Sequence, residues 1–296
     1  MTGIRATPLT AVIGAQLEGV DVTSATDEQI AELKQAVERY LVIFLRDQDL
    51  SGEQQLKLAS RFGTVSTFPL RRLAGGSGPS VSVIEDSADS PPDADGWHTD
   101  VTWIEEPPSM AFLNARTIPA VGGDTMWVSL YAVHDLLSDP MQRLCERLSV
   151  YHWFGERFAA AVARTGGEQL AERLRAEYPH PGVIHPLVRT HPVTRRDALF
   201  VSGFMHQVVD MHPEESQLLL GYLSSLLSVP TVQCRWHWAP NDLAIWDERA
   251  TNHRALGDHY PAHRVMRRCT IDGERPYFDA TADRSGEGRT VGVSPG

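Results

Sequence analysis

Cysteine is scarce in this sequence. Three residues in 296, Cys145, Cys234 and Cys269, are scattered along it without a C-x-x-C pair, and that spacing suggests neither a disulfide framework nor a thiolate zinc site. Long apolar runs are absent too: no stretch approaches the roughly 20 residues that span a bilayer. Met1 to Leu17 has no charged start followed by an apolar run, so no secretory signal is expected. Excess positive charge is missing. The formal net charge is −11, which argues against a general binder of nucleic acid or membrane surfaces. Internal repeats and domain-splitting linkers are likewise lacking. These absences leave a cytoplasmic globular protein, with 42% hydrophobic and 22% charged residues and a length that one large domain accommodates. The chain, 1–296, therefore reads as a single domain, with a Gly-, Ser- and charge-rich tail from about 282 that is expected to fray.

What is present is punctuated clearly. Thr26-Asp27-Glu28-Gln29 and Ser51-Gly52-Glu53-Gln54 are capping-box patterns. Behind the first, Ile30, Leu33, Val37 and Tyr40 recur at helical spacing, which predicts a helix over about 27–39; the second predicts a helix to about Phe62. Between them, Leu41-Val42-Ile43-Phe44-Leu45 is an apolar run of strand length suited to burial on both faces. Residues 63–96 are dense in turn formers and read as loops around one strand at Val81–Ile84. Other strands are expected within 8–22 with a turn at Gly14, and at 111–115, 125–128, 186–190, 198–201, 232–238, 243–247 and 264–271. Helices are expected from Ser129 to about Leu137 and from an Asp139 cap with Pro140 to about Leu148. Two more are expected, across 156–177 as an insertion and from His212-Pro213 to about Leu227. Many short strands interrupted by helices predict a mainly β fold with inserted helices, a jelly-roll-like double sheet.

The chemistry gathers around Gly96-Trp97-His98-Thr99-Asp100-Val101-Thr102-Trp103. On an extended strand, positions i and i+2 point to one face, so His98 and Asp100 are expected to reach one ion together. A neutral nitrogen and an anionic oxygen are two thirds of the facial set that holds non-haem Fe(II). Twelve histidines offer candidates for the third place. His185, His191 and His212 each precede proline and read as turn or cap residues. His212-Pro213-Glu214 is a formal rival pair, but a proline opening a helix puts Glu214 in its first turn, where a carboxylate complements the dipole. His134, His152, His237 and His259 read as surface or internally satisfied histidines, and the tryptophans as core and pocket wall. His253 differs. It follows the apolar strand at 243–247, and Arg264 heads another strand eleven positions later. A buried arginine is costly unless it meets an anion, and its planar fork suits a carboxylate. Three protein ligands leave three open positions on the ion. A 2-oxo acid fills two with its 1-carboxylate and keto oxygen, and O2 the last; the far carboxylate then needs a cation such as Arg264 and a threonine hydroxyl.

Five stretches, in order along the chain, resemble the taurine dioxygenase family of Fe(II)/2-oxoglutarate-dependent oxygenases, a group that includes phenoxyalkanoate dioxygenases and alkyl sulfatases. They are Ile13-Gly14-Ala15-Gln16-Leu17-Glu18-Gly19-Val20-Asp21, Trp97-His98-Thr99-Asp100-Val101-Thr102, Gly122-Gly123-Asp124-Thr125-Met126-Trp127, His185-Pro186-Leu187-Val188-Arg189-Thr190-His191-Pro192 and Trp246-Asp247-Glu248-Arg249-Ala250-Thr251-Asn252-His253-Arg254-Ala255. The resemblance runs from about residue 8 to about 278. It implies a double-stranded β-helix core, cupin-like, in one catalytic domain. It also implies that His98, Asp100 and His253 hold Fe(II), and that Thr125 and Arg264 bind 2-oxoglutarate. Related halogenases lack the carboxylate, so Asp100 favours hydroxylation, with O2 as co-substrate and succinate and CO2 as products. The same resemblance implies a homo-oligomer, dimer or tetramer.

For the substrate, the resemblance implies that Arg268 grips an anionic head group with Val101 packed beside it. Phe68, Arg71 and Ala94 stand where the taurine enzyme has histidine, tyrosine and asparagine. Three polar contacts to a small zwitterion are thus lost or altered, a change that sites built to hydrogen-bond a substrate do not tolerate cheaply. The expected substrate is a small anionic molecule other than taurine, with a less polar body against Phe68 and Ala94. Arg71 and Arg72 read either as a second cationic contact or as a solvated pair, and Phe154 and Phe204 as pocket wall or plain core. Two other functions stay open. One is an alkyl sulfatase acting by oxidative cleavage of a sulfate ester; the other is a non-catalytic double-stranded β-helix binding protein or a Zn(II) hydrolase using the same ligands.

Overall fold

The apolar run at 41–45 becomes, from Val42 onward, a strand inside a seven-stranded sheet whose two faces are both covered. In the computed structural model, which describes residues 3–92 and 96–282, β1 (Arg5–Pro8) and β2 (Ala15–Glu18) form a hairpin, followed by α1 (Asp27–Tyr40), β3 (Val42–Leu45), α2 (Gly52–Ser60), α3 (Pro69–Leu73) and β4 (Ser82–Asp86). Next come β5 (Met110–Thr117), β6 (Thr125–Ser129), α4 (Leu130–Asp135), α5 (Asp139–Cys145), β7 (Ser149–His152), α6 (Gly155–Gly166) and α7 (Glu168–Glu177). The rest is β8 (Val183–Pro186), β9 (Val188–Thr190), β10 (Asp197–Leu199), β11 (Met205–Val208), α8 (Pro213–Ser225), β12 (Gln233–Trp236), β13 (Leu243–Asp247), β14 (Thr251–Ala255) and β15 (Arg264–Ile271). The tail beyond 282 lies outside the described residues.

The large sheet has the order β1-β2-β3-β13-β5-β15-β4, and a smaller one has the order β12-β6-β14. Period-2 alternation explains how they stack. In β3, Val42 and Phe44 join one core while Ile43 and Leu45 join another; in β13, Ala244 and Trp246 part from Leu243 and Ile245 in the same way. The first core lies between the two sheets, where Trp127 and Val128 of β6 and Trp236 of β12 meet them. The second lies under α1 and α2, which supply Ile30, Leu33, Val37 and Leu58. This is the jelly-roll arrangement expected from the strand pattern. A third cluster, including Val101, Trp103, Phe154, Ala159 and Leu174, sits beneath the α6–α7 insertion. No described helix is long and apolar enough to cross a membrane.

Both capping boxes form. Gln29 N–H donates to Thr26 Oγ1 at 3.3 Å and Thr26 N–H to Gln29 Oε1 at 3.0 Å; Ser51 and Gln54 repeat the exchange. Elsewhere the boundaries differ from expectation. Ser138, not Asp139, occupies the cap position of α5, and the strand expected at 186–190 breaks into β8 and β9. Among the elements not anticipated, α3 starts at Pro69 behind Phe68, which offers no side-chain cap, β7 and β11 pair with each other without apolar alternation strong enough to announce them, and β14 forms by pairing on β6.

Candidate active site

Two backbone hydrogen bonds set the centre of the site. His98 N–H donates to His253 O at 3.0 Å, and His253 N–H donates to His98 O at 2.8 Å. This bridge lays the two imidazoles side by side, ring centroids 4.2 Å apart. β14 is in turn registered on β6, with His253 opposite Trp127 and Ala255 opposite Thr125. Thr125 therefore arrives on the wall that carries His253.

Asp100 reaches the same point by a route other than the one expected. The chain is not an extended strand through 98–102; it is bridged at His98 and turns at Asp100. Val101 has φ +55°, a conformation that costs a β-branched residue on the order of 1–3 kcal/mol. The turn brings Asp100 Oδ1 to 3.6 Å from His98 Nε2 and 3.9 Å from His253 Nε2. One donor atom from each of the three residues lies within 4.8 Å of the others.

The electrostatics suit a divalent cation. His98 Nδ1–H donates to Gly96 O at 2.9 Å, an assignment that leaves the Nε2 lone pair free. Burial, reinforced by His98 and Arg268, holds His253 well below the usual imidazole range, so its ring is neutral and able to ligate. Burial works against ionisation of Asp100, but the neighbouring groups, the Arg268 guanidinium foremost, outweigh it and keep the carboxyl below its usual value. Arg268 Nη1 donates to Asp100 Oδ1 at 2.9 Å, while Oδ2 is buried without a partner. A buried carboxylate oxygen lacking a donor is what a cation would satisfy, and two neutral imidazoles with one carboxylate are the facial donor set of Fe(II). The residues fit such an ion.

A cavity of about 640 Å³ opens from this cluster, lined by His98, Thr125, Trp246, His253, Arg264 and Arg268 among others. Arg264, Met266 and Arg268 alternate along β15, so all three face it. Arg264 is 3% exposed; its Nε–H donates to Gly123 O at 3.1 Å, and its Nη1 lies 3.5 Å from Asp86 Oδ2. Gly123 has φ +73°, and a Cβ there would stand 3.1 Å from Arg264 Cδ, which explains the glycine in Gly122-Gly123-Asp124-Thr125. Trp238 Nε1–H donates to Thr125 Oγ1 at 3.0 Å, leaving the threonine's own proton free for an anion.

The residues expected around the substrate are spread more widely. Phe204 sits edge-on to His98 with centroids 6.3 Å apart. It lines a second cavity of about 580 Å³ with Trp153, Phe154, Phe158 and Met205, which His98 shares with the first. Phe68 and Val101 line a third cavity of about 450 Å³, and the Phe68 ring backs the Arg268 guanidinium at 5.5 Å. Arg71 is exposed, donates to Ser77 O at 3.4 Å and lines none of these cavities, because the α3 turn faces it outward. Arg72 is the one that lines the third cavity, donating to Tyr178 OH at 2.6 Å. Ala94 lies outside the described residues.

Two histidines read as turn residues do more. His185 is buried in β8 and donates from Nε2 to Thr102 O at 2.9 Å, holding the turn after Asp100. His191 donates from Nε2 to Asp247 Oδ2 at 2.9 Å and accepts at Nδ1 from the N–H groups of Val193 and Thr194. Sequence reasoning passed over Asp86, which faces Arg264, and Glu248, fully buried behind Asp100. Burial and the Asp100 carboxylate push the Glu248 carboxyl well above the usual range. The signal for Glu248 was its place directly after an apolar strand, where a carboxylate has to be buried with it.

Comparison with known proteins places this geometry. The family described as "Taurine catabolism dioxygenase TauD, TfdA family" matches residues 5–270. The chain belongs to this family. It is a 2-oxoglutarate-dependent dioxygenase, and the binding-protein and zinc-hydrolase readings fall away. Among its family relatives, an alkylsulfatase from Acinetobacter baylyi is 31% identical over 270 residues, covering 90% of this chain and 84% of the relative. An alpha-ketoglutarate-dependent sulfate ester dioxygenase from Pseudomonas putida is 31% identical over 273 residues, covering 91% and 89%. The crystal structure of a taurine dioxygenase from Burkholderia xenovorans, 33% identical, superposes with a TM-score of 0.76 over 92% of each chain.

Proposed function

We propose that this dioxygenase holds Fe(II) with His98, Asp100 and His253, receives the far carboxylate of 2-oxoglutarate at Arg264 and Thr125, and oxidises a small organic anion seated by Arg268. The observation that carries the reading is the convergence of the three donors within 4.8 Å of one another, beside a cavity whose wall carries both imidazoles, a buried guanidinium and a threonine hydroxyl. The chemistry such a centre supplies is oxidative decarboxylation of 2-oxoglutarate to succinate and CO2, coupled to hydroxylation of a substrate C–H bond. The chain's own part is positioning. The His98–His253 bridge fixes the two rings, the Val101 turn aims the carboxylate, and Arg268 stands where it can draw an acidic head group beside it.

For the substrate, the aromatic cavity that shares His98 favours an apolar body, and Phe68 beneath Arg268 replaces a polar contact with a flat apolar one. Taurine, small and zwitterionic, matches neither. A sulfate ester with an alkyl or arylalkyl body matches both, and the relatives named as an alkylsulfatase and a sulfate ester dioxygenase support this second, narrower reading. Hydroxylation at the carbon carrying the sulfate would give a hemiacetal-type hydroxy ester, whose hydroxyl loses its proton as the carbonyl forms and the carbon–oxygen bond to sulfate breaks, leaving an aldehyde, sulfate and a proton. The negative charge of the chain supports a small-molecule partner rather than nucleic acid or membrane, and the reading includes a cytoplasmic homo-oligomer.

The test has two layers. Anaerobic addition of Fe(II) and 2-oxoglutarate is expected to give a visible charge-transfer band that Arg264→Ala weakens; absence of any band refutes the assignment. A panel of sulfonates, alkyl sulfates, aryloxy acids and phosphonates, read as O2-dependent succinate, then separates the substrates. Sulfate released from octyl sulfate in step with succinate supports the narrower reading; succinate from other anions with no sulfate release rejects it.

A further inference from the structure

Glu248 lies just past β13, 0% exposed, where three nitrogens from three parts of the site converge on its two oxygens. Asp100 N–H donates to Oε2 at 3.1 Å, and Trp246 Nε1–H donates to Oε1 at 2.8 Å. His253 Nδ1 lies 3.9 Å from Oε1, buried and without a hydrogen-bond partner. A histidine that ligates through Nε2 carries its ring proton on Nδ1, and that N–H almost always donates to a carboxylate, a carbonyl or water. Glu248 is the carboxylate facing it.

We propose that Glu248 is a positioning residue that braces two of the candidate ligands from behind at once, Asp100 through its backbone N–H and His253 through Nδ1–H. The inference rests on His98, Asp100 and His253 being the metal ligands. A carboxyl in either protonation state keeps both oxygens as acceptors, whereas an amide keeps one and turns an NH2 group toward a donor. Buried donor facing donor is costly, so an isosteric glutamine cannot satisfy all three nitrogens. Glu248 thus ties the turn at Asp100 to β14 independently of the His98–His253 bridge. The movement required is small: His253 Nδ1 and Oε1 need to close from 3.9 Å to an ordinary hydrogen-bond length.

The experiment compares Co(II) binding by the full-length protein and its Glu248→Gln variant, by chelator competition and by the visible spectrum of the bound ion. The expected result is a Co(II) dissociation constant raised roughly 10- to 100-fold, the range seen when a ligand's outer partner is lost. A changed d–d spectrum at saturation should accompany it, with little change in 2-oxoglutarate affinity once metal is saturating. An unchanged constant and spectrum overturn the brace and leave the triad standing. Failure of the wild-type protein to bind Co(II) overturns both. Should Glu248→Gln not fold, the Co(II)-loaded wild-type crystal structure decides: His253 Nδ1 within roughly 3.2 Å of Glu248 supports the brace, and a separation kept at 3.9 Å overturns it.

Discussion

Arg264 and Arg268 share one face of β15, and their surroundings prepare them for different tasks. Arg264 is almost wholly buried and meets Asp86 only at 3.5 Å, a loose pairing that leaves the guanidinium able to take a carboxylate with better geometry. Losing it should remove a charge-assisted contact worth about 1.5–3 kcal/mol. Arg264→Ala is therefore expected to raise the KM for 2-oxoglutarate roughly 10- to 100-fold while Co(II) affinity stays as in the wild type; unchanged co-substrate affinity would count against the role. Arg268 already donates to Asp100. Arg268→Ala should raise the KM for the prime substrate and spare substrate-free 2-oxoglutarate turnover. Collapse of both together would show Arg268 to be only the partner of Asp100. At this scale the sequence was legible where chemistry restricts residue type: the H-x-D pair, His253, and two arginines at strand spacing. It was not legible for Arg71 and Arg72, where a short helix decided which of two adjacent arginines faces the third cavity, nor for Glu248, whose meaning comes from donors distant in the chain.

Among the elements, strands buried on both faces were readable because continuous apolar runs such as 42–45 have few other fates, and helices were readable from their caps. β7, β8 and β11 were harder, since their sequences mix polar and apolar residues and gain order only by pairing with one another. β7 and β8 nevertheless hold the turn that aims Asp100. His152 Nδ1 lies 3.0 Å from Thr102 Oγ1, and His185 donates to Thr102 O. Burial keeps both imidazoles neutral, with His152 well below the usual range and His185 brought down to about 4, the charges of Arg189 and Arg275 adding to the effect on His185. The sign follows from proton uptake. Between about pH 6.5 and 4 the unfolded chain protonates His185 and the folded chain does not, so stability is full above about 6.5 and is lost as pH falls through that window, on the order of 3 kcal/mol for this residue. Paired carboxylates such as Asp247 and Glu274, whose values are lowered, add a loss of stability of the same sign as pH falls further. The melting temperature is expected to fall between pH 7 and 5, with a shallower slope in His185→Gln. An equal slope in that variant would assign the acid sensitivity elsewhere.

Over the whole molecule, the site joins parts of the chain that local structure keeps separate. His98 and Asp100 leave a loop-rich region between β4 and β5, His253 comes from the small sheet, and Arg264 and Arg268 come from the large one. Their meeting was foreseeable only as a resemblance, because no local periodicity encodes a contact across the stacked sheets. A cation bound by all three candidate ligands would bridge these parts and should stabilise the folded chain as a unit. At free metal near 100 times its dissociation constant, linkage gives about 2.7 kcal/mol, which for a chain of this size is a rise of roughly 4–5 °C in Tm. Wild-type protein titrated with Co(II) should therefore show a Tm that climbs with metal concentration. His253→Ala, which removes one ligand and leaves the His98 backbone bridge, should keep a metal-free Tm close to the wild type and lose the climb. A Tm that rises equally in His253→Ala would mean that the ion stabilises the protein from somewhere else.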